Sequence, residues 1–193
     1  MSKILIVYGS AYGQTERIAQ RLAQGLTQAG HRVTACKGDD LREDLSPASY
    51  DGFVIAASVL YGRHQRYVEA FVRRHVDLLN AAPSAFVSVC GAAIGSAPEG
   101  PRLAQGYADK FLRETGWHAQ TTRWFVGALP YTRYGLLTRW MMKMISRRTG
   151  RPTDTSRDYD FTDWDEVDRF AQELAETLAA PEAVAVQETG CVD

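Results

Sequence analysis

The residues best suited to chemistry lie near the start of the chain, in Ser10-Ala11-Tyr12-Gly13-Gln14-Thr15. Two hydroxyls and a glycine fall within six positions, with no lysine or arginine among them. A turn of this kind binds an anion through neutral donors: backbone N–H groups, hydroxyls and the positive end of a following helix. Two common phosphate ligands fit poorly. Without Gly-x-x-x-x-Gly-Lys-Ser/Thr, no lysine reaches a nucleoside triphosphate. Without Gly-x-Gly-x-x-Gly, a dinucleotide pyrophosphate lacks its usual cradle. A hydroxyl-rich turn without a cation suits one terminal monophosphate. The plainer alternative is that Ser10 and Thr15 only cap a helix.

The elements around the turn are legible from their periodicity. Residues 4–8 form a continuous apolar run rich in β-branched residues, which reads as a strand buried on both faces. Ile18, Leu22 and Leu26 recur four apart and predict a helix over about residues 14–29, stopped by Gly30. Further strands are expected at about residues 32–36, 53–57 and 84–90, with a fifth within 117–129. Helices are expected at about 66–80 and 102–115; in the first of these Val68, Phe71, Val72, His75 and Leu79 share a face. This alternation predicts an α/β fold, a doubly wound five-stranded parallel sheet with right-handed crossovers. The order 2-1-3-4-5 puts a mononucleotide site at the carboxyl ends of strands 1 and 3. A last helix begins at Thr162 as N-cap, with Trp164, Val167, Ala171, Leu174 and Leu178 as its buried stripe. Residues 1–180 read as one domain and 181–193 as a disordered tail.

Between the fifth strand and the last helix lies a segment the simple fold does not need, residues 130–161. Within it Leu136, Leu137, Trp140, Met141, Met144 and Ile145 fill half a helical wheel, with Arg139, Lys143 and Ser146 opposite. From Thr121 to Thr153 the chain carries seven basic residues and no acid, leaving 15 basic against 23 acidic residues elsewhere. This asymmetry predicts a basic surface for an anionic partner. Three uses are open: a lid over the site, a homodimer contact, or an anionic membrane surface that takes Trp140 and the methionines. Nucleic acid is not expected, since no recognition motif accompanies the charge. Because the sheet does not require those residues, deletion of Tyr131 to Arg151 is expected to leave folding and the phosphate site intact.

The remaining composition narrows the class. Cys36, Cys90 and Cys191 are far apart and odd in number, so reduced thiols are expected rather than disulfides or zinc. His31, His75 and His118 lack ligand spacing, and no metal site is expected. No run is long enough to span a membrane, and with the first strand starting this early no signal peptide is expected. No nucleophile elbow or partnered cysteine supports hydrolytic chemistry.

The spacing Ser10-x-Tyr12-Gly13-x-Thr15 resembles the phosphate loop of the flavodoxin family, with Tyr12 where a hydroxyl usually stands. That resemblance implies FMN. The loops after strands 3 and 4 then flank the flavin. Tyr61 is the candidate to stack on the ring, and amides around Ser58, Gly62, Cys90, Gly91 and Ala92 are candidates for its edge. His64 is a candidate substrate or flavin contact, with a solvent-facing histidine as the alternative.

A narrower resemblance covers the chain from the first strand to the last helix. It is carried by Tyr12-Gly13-Gln14-Thr15 with Ile18-Ala19, by Ala57-Ser58 with Tyr61-Gly62, and by Pro83-Ser84-Ala85-Phe86. Further on are Tyr107-Ala108, then Gly127-Ala128-Leu129 with Tyr131 and Arg133-Tyr134, and Thr162-Asp163-Trp164. The sequence resembles the bacterial flavodoxin-like, quinone-dependent protoporphyrinogen oxidases; plain flavodoxins lack the basic, Met-rich helix. The resemblance implies FMN-dependent oxidation of protoporphyrinogen IX, or a related reduced tetrapyrrole, in haem synthesis. It implies a membrane quinone as acceptor and a cytoplasmic location at the inner face of the membrane. Tyr131, Arg133, Arg139, Trp140, Lys143 and Arg147 become candidates for substrate or membrane contact. The alternatives are an NAD(P)H:quinone reductase of the same fold, told apart by its electron donor, and a non-catalytic electron carrier, which usually presents an acidic face.

Overall fold

A computed structural model describes residues 1–94 and 99–179. Five parallel strands form the sheet: β1 (Lys3–Gly9), β2 (Arg32–Lys37), β3 (Gly52–Ser58), β4 (Ser84–Cys90) and β5 (Thr121–Val126), in the order β2-β1-β3-β4-β5. Helices α1 (Gln14–Gln28), α2 (Arg66–Arg74), α3 (Val76–Ala81), α4 (Gly100–Thr115) and α6 (Trp164–Thr177) cover its two faces, and α5 (Leu136–Arg148) lies in the insert. The expected sheet order is therefore observed. Its register aligns Gly9 with Ala57, Ser58 with Val89, and Cys90 with Val126. The loops after β1, β3 and β4 consequently leave the sheet at one level, around the point where strand order reverses.

Two apolar layers hold this arrangement. On one face Ile18, Leu22 and Leu26 of α1 and Val167, Phe170 and Leu174 of α6 pack on Ile4, Ile6 and Val54, all essentially without solvent contact. Each such aliphatic side chain contributes about 2 kcal/mol on burial. The two helices meet closely: a Cβ on Gly25 would lie 2.6 Å from Ala171 Cβ, so only glycine fits there. On the other face Val68, Phe71 and Val72 of α2 and Phe111 of α4 pack on Leu5, Phe53, Ile55 and Phe86.

The structure departs from the sequence expectations at element ends. The helix expected over residues 66–80 breaks at His75, whose φ of −116° separates α2 from α3. The fifth strand does not continue to Leu129. Ala128–Leu129 forms β6, which pairs antiparallel with β7 (Tyr159–Asp160) in a separate two-stranded sheet. Asp163, not Thr162, is the N-cap of α6, accepting from Glu166 N at 3.0 Å. The Thr162 hydroxyl donates instead to the Val126 carbonyl at 2.8 Å, tying the end of the insert to β5. The expected tail at 181–193 lies outside the described residues.

Candidate functional site

At the carboxyl end of β1 the chain turns through Ser10-Ala11-Tyr12-Gly13 into α1. Gly13 sits at φ +95°, a conformation that favours glycine. Ser10 Oγ accepts from Gly13 N at 2.9 Å, which closes the turn and leaves the hydroxyl proton to donate. No side chain caps the start of α1. The reading of Ser10 and Thr15 as mere caps therefore fails, and the first-turn N–H groups are left for a ligand. Thr15 is fully buried, and its Oγ1 has no hydrogen-bond partner. A buried hydroxyl without a partner costs stability unless something enters to satisfy it.

The loop after β3 forms a tight turn, bridged between Leu60 and Arg63, with Tyr61 at φ +50° and Gly62 at +77°. These are the angles of a turn matched to strand twist. Glycine meets them freely; a tyrosine does so under strain, which is characteristic of functional loops. The Tyr61 ring is 71% exposed at the cavity mouth. After β4, Cys90 Sγ accepts from Ala92 N at 3.3 Å, and residues 91–93 make one 3-10 turn. Burial raises the Cys90 thiol, so it stays protonated and is a poor nucleophile.

Ser10, Ala11, Tyr12, Gln14, Thr15, Ser58, Tyr61, Gly62, Cys90, Gly91 and Ala92 all line one cavity of about 450 Å³. Of the expected cofactor residues only Gly13 is outside the lining; it shapes the turn behind it. The same cavity is walled by Leu103 and Tyr107 of α4 and by Tyr134, which sequence reasoning missed, and by Thr138, Met141, Met142 and Ile145 of α5, the helix expected as a lid. Leu103 and Tyr107 are four apart on one helix face, a signal that marks a shared face but not what it looks onto. Arg151 also lines the cavity; its Nε donates to the Ile94 carbonyl at 2.8 Å and Nη2 to the Ala92 carbonyl at 3.1 Å. The insert thereby grips the loop after β4.

It grips the phosphate loop as well. The Tyr134 ring meets Tyr12 edge-on at 4.8 Å. Gln14 Nε2 donates to Asp160 Oδ1 at 2.8 Å and to Thr162 Oγ1 at 2.6 Å. Of these contacts only the Tyr12–Tyr134 pair falls within residues 131–151; Asp160 and Thr162 hold Gln14 from beyond that segment. Burial, with Tyr12 nearby, raises the Tyr134 phenol well above its ordinary range, so it remains neutral.

Three further expectations change. His64 does not line that cavity and does not face solvent; it borders a second cavity with Ser10, Ala11 and Tyr61. It is 8% exposed, its Nε2 lies 2.9 Å from Ser88 Oγ, and its ring packs between Phe86 and Phe111. Burial lowers its pKa to about 4, so it is a neutral core residue. Arg139 is not a free cation. Its guanidinium donates to the carbonyls of Tyr131, Tyr134 and Thr132 at 2.8, 3.2 and 3.3 Å, bracing the turn before α5. Tyr131 is fully buried, hydrogen-bonded to Ser146 Oγ at 2.7 Å and donating to the Pro152 carbonyl at 2.8 Å. It supports the insert and does not meet a ligand. The apolar arc of α5 divides: Met141 and Ile145 line the cavity, joined there by Met142 from outside the arc, while Leu136, Leu137 and Trp140 are 84%, 80% and 63% exposed and Met144 is also exposed. Lys143, Arg147 and Arg148 are exposed on the same helix.

With this geometry, comparison with known proteins becomes decisive. A family profile described as flavodoxin domain matches residues 5–156. The protoporphyrinogen IX dehydrogenase (quinone) of Escherichia coli K12 is 35% identical over 179 residues, covering 93% of this chain and 98% of its own. The chain belongs to the flavodoxin-like, quinone-dependent protoporphyrinogen IX dehydrogenase family. A Leishmania major protein of that name is 32% identical over 182 residues, covering 93% of this chain and 78% of its own. Among solved structures, an archaeal flavodoxin superposes with a TM-score of 0.53 at 18% identity, covering 92% of this chain and 99% of its own. A flavodoxin mutant from Pseudomonas aeruginosa reaches 0.56 at 14% identity, covering 92% and 99%. At such identities these likenesses support the fold alone. Members of this family are flavoprotein oxidoreductases with FMN as cofactor, and this chain is one. Its residues fit that cofactor: the unpartnered Thr15 Oγ1, the uncapped helix start and the free Ser10 proton answer to a terminal phosphate. The cavity beyond them is walled mainly by apolar side chains, as a ring system requires.

Proposed function

We propose that this protein oxidises protoporphyrinogen IX to protoporphyrin IX and passes the electrons to a membrane quinone. One observation carries the reading: the phosphate loop shares a largely apolar cleft with the insert helix α5, whose Met141, Met142 and Ile145 line it together with Leu103 and Tyr107. An apolar macrocycle or quinone ring suits those walls. Seven basic residues and no acid between Thr121 and Thr153 suit anionic propionates.

Ser10, Thr15 and the first-turn amides of α1 would hold the FMN phosphate. The loops at 58–62 and 90–92 would hold the ring, with Tyr61 as its stacking partner. FMN supplies acceptance of hydride from one substrate and its delivery to the other. The overall reaction removes six electrons and six hydrogens from the tetrapyrrole and converts three quinones to quinols. Among the described residues the cavity lining contains no carboxylate and no histidine. The protein's part is therefore to orient rings, exclude water and keep Cys90, Tyr12 and Tyr134 protonated, since burial raises all three.

The quinone is held in the bilayer, and α5 is the element suited to meet it. Leu136, Leu137 and Trp140 are exposed on a helix that also carries Lys143, Arg147 and Arg148. Apolar side chains entering the headgroup region, with cations on anionic lipids, define an interfacial helix. Among the described residues no helix is long and apolar enough to cross a membrane. Peripheral docking on the anionic inner face of the membrane is the corresponding proposal. Anaerobic stopped-flow tests the chemistry: protoporphyrinogen IX should bleach the flavin absorbance and NADH should not. Fast bleaching by NADH alone would replace this reading with a nicotinamide-dependent quinone reductase.

A further inference from the structure

The phosphate loop has no cation among residues 10–15, yet a guanidinium from the insert rests directly on it. Arg133 Nη1 donates to the Tyr12 carbonyl at 2.7 Å. The same atom lies 2.5 Å from where a Cβ on Gly13 would stand, so the glycine makes room for the arginine. Neighbouring charges are already engaged. Asp158 accepts from Thr132 N and its hydroxyl, both at 2.8 Å. Arg17 is paired with Asp160 at 2.8 Å. Among the described residues no ion pair includes Arg133. A guanidinium has five N–H donors in a planar fork, and one contact to a neutral carbonyl leaves most of them free.

We propose that Arg133 belongs to the cofactor site and supplies the positive charge for the FMN phosphate that the loop's own residues lack. The inference rests on the FMN reading of the loop. Two features of the sequence follow from it. Tyr12 stands where a hydroxyl would serve the phosphate; its ring docks Tyr134, the residue next to Arg133, whose guanidinium reaches the Tyr12 carbonyl. The exchange trades a hydroxyl donor for a full charge, which neutralises a phosphate dianion more strongly. Arg133 then makes the insert a determinant of cofactor choice: it favours FMN over riboflavin, which has the same ring and no phosphate.

The test compares both flavins by fluorescence titration against wild type, Arg133→Gln and Arg133→Lys. Glutamine retains an N–H for the Tyr12 carbonyl and loses the charge; lysine keeps the charge. The proposal expects Arg133→Gln to weaken FMN about tenfold, as expected for one charge pair near a protein surface, with riboflavin affinity unchanged. Arg133→Lys should keep most of the preference for FMN, and the salt dependence of FMN binding should flatten only in the glutamine variant. Unchanged riboflavin binding also verifies that each variant is folded. If FMN and riboflavin weaken by the same factor in Arg133→Gln, the arginine only braces Tyr12 and the proposal is overturned. If wild type binds neither flavin, the FMN reading itself fails, and this proposal with it.

Discussion

Replacing Thr15 by valine tests the phosphate site through two effects of opposite sign. The side chain is fully buried in the first turn of α1, and its hydroxyl has no partner. Valine has nearly the same shape and a similar helix propensity, so the substitution removes a polar atom and little else. Relief of an unsatisfied buried hydroxyl stabilises the flavin-free protein by about 1–3 kcal/mol. At about 2–4 °C per kcal/mol for a domain of this size, that raises its melting temperature by roughly 2–12 °C. With FMN the sign reverses. A hydrogen bond to a charged group contributes about 1.5–3 kcal/mol, so the FMN dissociation constant should rise about 10- to 150-fold. Saturating flavin stabilises in proportion to its affinity, which narrows or inverts the order of melting. Calorimetry of the stripped and FMN-loaded proteins, with a fluorescence titration, reads both arms. A stripped variant that melts below wild type would show that the hydroxyl already has a partner. A raised melting temperature with unchanged FMN affinity would remove Thr15 from the phosphate site.

His64 sets a pH dependence of stability. Its folded pKa of about 4 lies below the ordinary histidine value of 6.5, so between those values the unfolded chain binds the proton and the folded one does not. Stability should fall as pH drops from 6.5 to 4, by about 3 kcal/mol in total, and denaturant titrations of His64→Gln should lose that slope. Changing Lys143, Arg147 and Arg148 together to glutamate should weaken binding to anionic vesicles by about 3 kcal/mol, with strong salt dependence in wild type. Arg139 is left out because three carbonyls occupy it. Equal vesicle binding by wild type and triple variant in a sedimentation assay would refute membrane docking by α5.

What the sequence made legible was local. The β1 run and the Ser10–Thr15 turn rest on residues within one strand and one turn, where period and turn chemistry act directly. The sheet order followed from alternation and from the handedness of crossovers. What it hid was decided by distant partners. His64 is claimed by Ser88, 24 residues on, and Arg139 by carbonyls of the preceding turn. The β6–β7 pair joins Ala128 to Asp160 with two-residue strands, too short to carry any period. Periodicity marked the apolar half of α5 but not its division into a cavity wall and an outer face. The grip of Arg133 and Arg151 on the two cofactor loops had no sequence signature, since neither the partner carbonyls nor the open space at Gly13 belongs to a motif.

The outer face of α5 also governs how the protein behaves at the bench. Leu136, Leu137 and Trp140 stand in water on one side of a single helix. In dilute buffer, such a surface finds relief in whatever apolar material is at hand: detergent, column matrix or another copy of itself. A size measured without lipid therefore depends on how that surface has been covered. Preparations taken up early into nanodiscs should stay monodisperse at concentrations where detergent-free samples precipitate.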